Sequence, residues 1–154
     1  MKPYYEKDGI TIYHGNCFDV LPLISGVECV VTSPPYNQKI DQFKASGFKA
    51  GGEWADRIAS SYSDSKPETE YQCEQALLLA KLLTVTTNTG SVFYNHKVRW
   101  RDGEWINPID WCRWSGWKIR QEIIWHRDGS LTQNAKMFPP NEERIIWMDK
   151  GKHK

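Results

Sequence analysis

The apolar positions of the chain fall into short runs that predict alternating strands and helices. Val27–Thr32 is a nearly continuous apolar run, which predicts a buried parallel strand. A capping box at 65–68 and the leucine-rich stretch after it predict a helix, which Gly90 separates from the next strand. The predicted strands are 10–14, 27–32, 91–95, 119–125 and 144–148, and two short helices are predicted to begin at Asn16 and Asn107.

The order of these elements predicts an α/β fold with a doubly wound sheet. A strand, a helix and a further strand form a parallel crossover unit. No helix is predicted between the last two strands, so we expect them to pair antiparallel at one edge. The chain is about one domain long, and we expect a single domain over residues 1–154 with a long loop at about 37–66. Lysines and aromatic residues alternate in this loop, which fits equally a segment that orders on nucleic acid and an insertion that packs its rings on the core.

Composition narrows the class of protein without identifying it. The chain has 154 residues, 25% of them charged, and a mean hydropathy of −0.64, which is typical of a water-soluble domain. No segment is long and apolar enough to cross a membrane, and the N-terminus lacks the apolar stretch of a signal peptide. We therefore expect no membrane association and a cytoplasmic location. The net charge of +1 gives no support for nucleic-acid binding.

The four cysteines do not predict a metal site. They are widely spaced, and no Cys-x-x-Cys pair occurs. We expect Cys29, which lies within the apolar run, to be a small buried apolar residue.

The segment Ser33-Pro34-Pro35-Tyr36, which directly follows the predicted strand, carries the candidate chemistry. This arrangement suits the binding of a planar amino group. The Ser33 hydroxyl and the Pro34 carbonyl can accept hydrogen bonds from its two N–H groups, while the Tyr36 ring covers its π-face. The two prolines stiffen the backbone, so the carbonyl is positioned before a substrate arrives. The alternative is a polyproline turn or a ligand segment for a partner domain.

The chain resembles the DNA amino-methyltransferases of restriction-modification systems and their phage relatives, in which the catalytic motif lies near the N-terminus. The resemblance covers nearly the whole chain and rests on motifs in the expected order. These are Gly15-Asn16, the segment 32–36, the leucine-rich helix, the strand from Gly90 to Asn95, the strand 122–127 and the segment 138–144. The catalytic motif is specific, whereas each of the others is weak alone.

The resemblance implies a Rossmann-like fold, S-adenosylmethionine as cofactor, and double-stranded DNA as partner. The target base would be flipped out of the duplex, because a stacked base cannot reach such a pocket. Ser in the first motif position favours N4-cytosine methylation over the alternative, N6-adenine methylation. The implied catalytic residues are Ser33, Pro34, Pro35 and Tyr36; the implied substrate-binding residues are Thr32, Asn37 and Asn95; Asn16, where the family usually has Asp, is the implied cofactor-binding residue.

The largest departure from the family concerns the cofactor. The glycine-rich cofactor turn of the family follows the segments matched here, and no Gly-x-Gly occurs in this chain. We therefore expect an incomplete fold that lacks the cofactor-binding strands and the target-recognition region, with little methyltransferase activity of its own. The missing strands would leave an apolar edge on Val27–Thr32, through which the chain could self-associate. A non-catalytic truncated module that binds DNA or a partner is the alternative function.

Overall fold

The computed structural model describes residues 1–38, 64–127 and 141–151, which form a four-stranded mixed sheet with helices packed on it. In chain order, the elements are β1 (Tyr5–Lys7), β2 (Ile10–Ile12), α1 (Cys17–Val20), a 3-10 helix (Leu21–Leu23), β3 (Val27–Thr32), α2 (Glu68–Val85), β4 (Thr86–His96), β5 (Arg99–Arg101), β6 (Glu104–Ile106), α3 (Ile109–Trp114), β7 (Lys118–His126) and β8 (Glu142–Asp149). Most of the predicted long loop falls on residues 39–63, which lie outside the described residues.

The sheet has the strand order β3-β4-β8-β7. Strands β3 and β4 are parallel and are connected through α2, which confirms the predicted crossover unit. Strand β8 lies antiparallel between β4 and β7, so the two last strands do pair with each other as predicted. Two short hairpins, β1-β2 and β5-β6, lie outside this sheet.

The core lies where α2 and α3 cover the middle of the sheet. Leu78, Leu79 and Leu82 of α2 are buried against residues of β4 and β8. Trp111 of α3 is completely buried in the same cluster, and the indole nitrogen of Trp117 donates a hydrogen bond to the Leu79 carbonyl oxygen at 2.7 Å. These contacts fix α2 on the sheet, and the N-terminal half of α2 is thereby placed next to the end of β3.

The helix starts are partly as predicted. The side-chain oxygen of Asn16 accepts a hydrogen bond from the Phe18 amide at 3.0 Å, and Asn107 makes the same contact with the Ile109 amide at 3.0 Å, so both asparagines cap short helices. The predicted capping box at 65–68 is wrong, because Pro67 is the residue that precedes the first turn of α2.

The prediction that Val27–Thr32 is a buried strand is wrong for this chain. Strand β3 is the edge strand of the sheet, and Val31 is 79% exposed. Cys29, predicted to be buried, is exposed for the same reason. Within the described residues β4 alone pairs with β3, so the predicted open apolar edge is present. Self-association through this edge stays a prediction.

No helix within the described part of the chain is long and apolar enough to cross a membrane. The predicted cytoplasmic location is untested by this finding and stays a prediction.

Candidate active site

Residues 33–36, which we call the catalytic turn after the role predicted for them, lie at the carboxyl end of β3. Thr32, the last residue of β3, is paired with Tyr94 of the parallel strand β4. Because parallel strands end at the same edge of a sheet, the catalytic turn and the residues that end β4 are neighbours. Ser33 is exposed and Tyr36 is half-buried, so the turn presents a hydroxyl group and one side of an aromatic ring at this edge.

A chain of hydrogen bonds connects the catalytic turn to β8. The Ser33 hydroxyl lies 2.8 Å from the Tyr36 hydroxyl, which donates a hydrogen bond to Glu143 Oε2 at 3.1 Å. The Asn95 side-chain amide donates to the same carboxylate oxygen at 3.1 Å, and Arg127 forms an ion pair with Oε1. Because Tyr36 donates its single hydroxyl proton to Glu143, the Ser33 hydroxyl must be the donor in its hydrogen bond with the Tyr36 oxygen.

The Tyr36 hydroxyl keeps its proton over the whole physiological range. Burial raises the pKa of Tyr36 to about 12, the hydrogen bond from Ser33 opposes this, and the negative charge of Glu143 adds to it. Lys97 lies 5.9 Å from the centre of the Tyr36 ring, and burial lowers the pKa of this lysine. The turn therefore combines a neutral phenol with a nearby cation.

Asn95 is the predicted substrate-binding residue whose side chain joins the chain of hydrogen bonds at the turn. Its Nδ2 contacts Glu143, whereas its Oδ1 is buried without a hydrogen-bond partner within the described residues. Thr32 is half-buried beside Ser33, and Pro34 is buried. The assigned roles stay predictions for all of these residues: Ser33, Pro34, Pro35 and Tyr36 in catalysis, and Thr32 and Asn95 in substrate binding.

Asn37 has a structural role in the observed contacts. It is 2% exposed, its Oδ1 accepts from the Lys66 amide at 2.8 Å, and its Nδ2 donates to the Lys66 carbonyl oxygen at 3.0 Å. Nearby, Asp64 accepts from the Gln38 amide at 2.9 Å. These contacts hold together the two chain ends that flank residues 39–63, and substrate binding by Asn37 stays a prediction.

Asn16 is exposed, and the contact observed for its side chain is the cap of α1. Its predicted role in cofactor binding stays a prediction. Among residues 1–38, 64–127 and 141–151, no group of three or more His, Cys, Asp or Glu side chains could hold a metal ion.

Sequence reasoning missed three residues that surround the turn. Glu143 pairs with Arg127 and accepts a hydrogen bond from Tyr36, and its contact with Tyr36 was not predicted. Tyr71 of α2 donates to the Pro35 carbonyl oxygen at 2.6 Å, and the His96 ring centre lies 4.6 Å from that of Tyr36. The position of His96 directly after Asn95, at the end of a strand, was the one local signal that could have indicated it.

The mixed sheet and the turn at the end of its parallel edge strand define an α/β domain of the methyltransferase type. The sequence profile of the DNA methylase family matches residues 27–154, so the chain belongs to this family.

Two curated relatives are type II methyltransferases. M.ScaI of Streptomyces caespitosus is 24% identical over 152 residues, which cover 95% of this chain and 43% of that protein. M.BglII of Bacillus subtilis is 29% identical over 152 residues, which cover 90% of this chain and 35% of that protein. The chain therefore spans less than half the length of these relatives.

Solved structures share the fold at low sequence identity. The cytosine-N4-specific PvuII DNA methyltransferase superimposes with a TM-score of 0.68 and 14% identity, covering 99% of this chain and 53% of that one. M1.HpyAVI in complex with S-adenosylmethionine superimposes with a TM-score of 0.52 and 16% identity, covering 92% of this chain and 55% of that one. These likenesses establish the fold of this chain as part of a larger methyltransferase fold.

Proposed function

We propose that this chain is the catalytic part of a DNA methyltransferase that methylates an exocyclic amine of a base in double-stranded DNA. The observation that carries the proposal is the direction of the hydrogen bonds in the catalytic turn. Tyr36 donates to Glu143, so the proton of Ser33 is committed to Tyr36. The exposed Ser33 oxygen is therefore left as an acceptor, which is the group that a substrate amine needs.

The proposed substrate contact activates the amine. An amine conjugated to a base ring is a poor nucleophile because its lone pair is delocalised into the ring. Hydrogen bonds from its two N–H groups to the Ser33 oxygen and the Pro34 carbonyl oxygen would favour a tetrahedral nitrogen and free the lone pair. The buried Pro34 and the neighbouring Pro35 hold this carbonyl in a preorganised position. The Tyr36 ring would cover one face of a base that is flipped out of the duplex.

The hydrogen-bond chain also offers a path for the proton that the methylated nitrogen must lose. The nitrogen can give its proton to the Ser33 oxygen while Ser33 gives its proton to Tyr36 and Tyr36 gives its proton to Glu143 Oε2. Ser33 already donates to Tyr36 and Tyr36 already donates to Glu143, so neither hydroxyl group has to rotate before the transfer. Arg127 and Asn95 hold Glu143 in place for this role.

We expect that this chain alone does not form a complete site for S-adenosylmethionine. Asn16 is capping a helix, and the chain contains no Gly-x-Gly turn. We propose S-adenosylmethionine as the methyl donor because the chain belongs to the DNA methylase family and shares its fold with a structure solved with this cofactor. The residues that bind it would lie in the part of the fold that this chain does not span.

We favour cytosine N4 as the methylated atom, with adenine N6 as the alternative. The motif begins with Ser33, as the N4-cytosine enzymes of the family tend to do, and the PvuII neighbour is described as cytosine-N4-specific.

Methyl transfer to duplex DNA tests the proposal. The chain would be incubated with labelled S-adenosylmethionine and bacterial or phage DNA, both alone and joined to the remainder of a family cofactor domain, and digested nucleosides would identify the base. We expect Ser33→Ala and Tyr36→Ala to lose incorporation, while Ser25→Ala and Tyr4→Ala, which alter exposed residues elsewhere, keep it. Equal incorporation in all four variants would overturn the assignment of the catalytic turn.

A non-catalytic module that binds DNA or a partner is the alternative function. DNA binding without incorporation in either form of the chain would support that alternative.

A further inference from the structure

A buried pair of side chains, Tyr71 of α2 and His96 of β4, lies next to the catalytic turn and is not used by the proposed chemistry. Tyr71 is 3% exposed and His96 is completely buried. The Tyr71 hydroxyl lies 2.6 Å from the Pro35 carbonyl oxygen and 2.7 Å from His96 Nε2. His96 Nδ1 lies 2.7 Å from the Lys97 carbonyl oxygen. Two carbonyl groups are thus bridged by one phenol and one imidazole.

The number of protons in this bridge is smaller than the number of contacts. A carbonyl oxygen can only accept a hydrogen bond, so His96 Nδ1 must carry a proton and donate it to the backbone carbonyl oxygen of Lys97. Burial lowers the pKa of His96 to about 3, so the ring is neutral and Nε2 is an acceptor. Burial raises the pKa of Tyr71, so its hydroxyl has one proton to donate. Two acceptors, Pro35 and His96, share that proton.

Neighbouring side chains hold Tyr71 in this position. The Arg99 guanidinium lies 4.8 Å from the centre of the Tyr71 ring, and Glu68 binds Arg99 through two hydrogen bonds of 2.8 and 2.6 Å. The Tyr71 and Trp111 rings pack in a T-shaped arrangement with 6.1 Å between their centres. These contacts restrain the Tyr71 side chain, so its hydroxyl proton is shared between the Pro35 carbonyl oxygen and His96 Nε2.

We propose that Tyr71 and His96 are positioning residues that fix the backbone of the catalytic turn through the shared proton of the Tyr71 hydroxyl. When the proton lies on the Pro35 side, it anchors the peptide that follows Pro35, and through the rigid Pro35 ring it stabilises the orientation of the Pro34 carbonyl. His96 weakens this anchor by competing for the proton and supports the turn from a second side through its ring contact with Tyr36. The inference depends on the proposed function for its catalytic consequence, but its structural part stands alone.

Carbonyl chemical shifts test the structural part in the full chain. In a triple-resonance spectrum the amide of Tyr36 reports the carbonyl carbon of Pro35. We expect this carbon to move upfield in Tyr71→Phe, which removes the donor, and downfield in His96→Phe, which removes the competing acceptor. Tyr94→Phe is the matched control, because the Tyr94 hydroxyl is also buried and hydrogen-bonded, to Gln75 and Trp111, but does not touch the turn. An unchanged Pro35 carbon in Tyr71→Phe, or equal shifts in Tyr71→Phe and Tyr94→Phe, would overturn the proposal.

The wild-type chain provides a measurement that needs no variant to fold. Long-range proton-nitrogen spectra of the imidazole should show His96 as the Nδ1–H tautomer with an Nε2 that accepts a hydrogen bond. An Nε2–H tautomer would contradict the shared-proton arrangement.

Kinetics test the catalytic consequence and distinguish the two proposals. We expect Tyr71→Phe to lower kcat by about 2- to 10-fold, as loss of one hydrogen bond would, with KM for DNA unchanged. Tyr94→Phe should keep the wild-type kcat. Absence of methyl transfer even when the chain is joined to the cofactor domain would count against the proposed function, while the Pro35 shift would still decide whether Tyr71 positions the turn.

Discussion

The Tyr36 hydroxyl donates a hydrogen bond to Glu143 across 107 positions of sequence and so joins the catalytic turn to the central antiparallel strand of the sheet. Glu143 is 7% exposed, and its two carboxylate oxygens serve Tyr36, Asn95 and Arg127. A carboxylate that is buried and shared by three donors is held in one orientation. Any proton that arrives through Tyr36 therefore reaches a fixed acceptor.

Replacing Glu143 by glutamine should separate proton acceptance from packing. Glu143→Gln keeps the size of the side chain but removes the negative charge that would receive the proton. We expect kcat for methyl transfer to fall about 100-fold, which is typical for the loss of a proton acceptor. The neighbouring Glu142→Gln is the matched control, because Glu142 pairs with Arg144 and does not contact Tyr36. Similar rates for the two variants would show that the turn does not use Glu143 as acceptor.

The sequence could predict those parts of the site that depend on local order. The catalytic turn follows an apolar run, and Asn95 ends the next parallel strand, so the rule that parallel strands end at one edge brings them together. Glu143 could not be placed in this way, because its contact depends on the register between β4 and β8. That register pairs Asn95 with Ile145, which puts Glu143 two residues away on the same face of the sheet.

The prediction that β3 is buried was wrong because an apolar strand sequence reflects all the neighbours that the strand has in the complete fold. Four of the six residues of β3 are apolar or cysteine, which is typical of a strand covered on both sides. In the described part of this chain the strand has one neighbour, and Val31 is exposed. The apolar sequence of β3 is therefore typical of a strand with neighbours on both sides. This agrees with the finding that the chain covers only about half of the family fold.

The stability of the chain should depend on pH through His96. Burial lowers the pKa of His96 from 6.5 to about 3, so the unfolded chain binds this proton at a higher pH than the folded chain. The stabilisation is complete above pH 6.5 and is lost as the pH falls toward about 3. Between pH 6.5 and 5, above the range in which most carboxylates titrate, the free energy of unfolding should fall by up to about 1.4 kcal/mol per pH unit.

Urea unfolding at a series of pH values measures this dependence. His96→Gln removes the titrating ring and should flatten the curve between pH 6.5 and 5. His14→Gln, at an exposed position, should leave the wild-type slope. If His96→Gln has the same slope as the wild type, the proton uptake belongs to a different group.

At Gly90 the backbone of β4 lies close to the backbone of β3. A Cβ atom at this position would lie 2.9 Å from the carbonyl oxygens of Val27 and Glu28 and 2.4 Å from Thr86 Cγ2. Two of these contacts are with backbone, so the strands would have to move apart. We expect Gly90→Ala to destabilise the chain by about 1–3 kcal/mol. The exposed Thr89→Ala is the control, with an expected effect within about 0.5 kcal/mol in urea unfolding. Equal midpoints for the two variants would mean that the strand contact tolerates a methyl group.

Asn37 combines an unusual backbone conformation with a buried side chain, and two substitutions can separate these contributions. Its φ is +55°, a left-handed conformation that costs about 1 kcal/mol or more for alanine but little for glycine. Its amide group also satisfies both the N–H and the carbonyl group of Lys66. We expect Asn37→Gly to lower the free energy of unfolding by about 2 kcal/mol through the lost hydrogen bonds, and Asn37→Ala by about 1 kcal/mol more.

Asp8 provides the comparison, because it has a φ of +52° on an exposed turn. The difference in the free energy of unfolding between the alanine and the glycine variant should be similar at Asp8 and at Asn37, because it reflects the backbone conformation alone. The glycine variant itself should be costly at Asn37 and nearly neutral at Asp8, whose ion pair with Lys7 is exposed. If Asn37→Gly is as stable as Asp8→Gly, the bridge to Lys66 does not hold the two ends of the segment together, and Asn37 is then free to contact substrate.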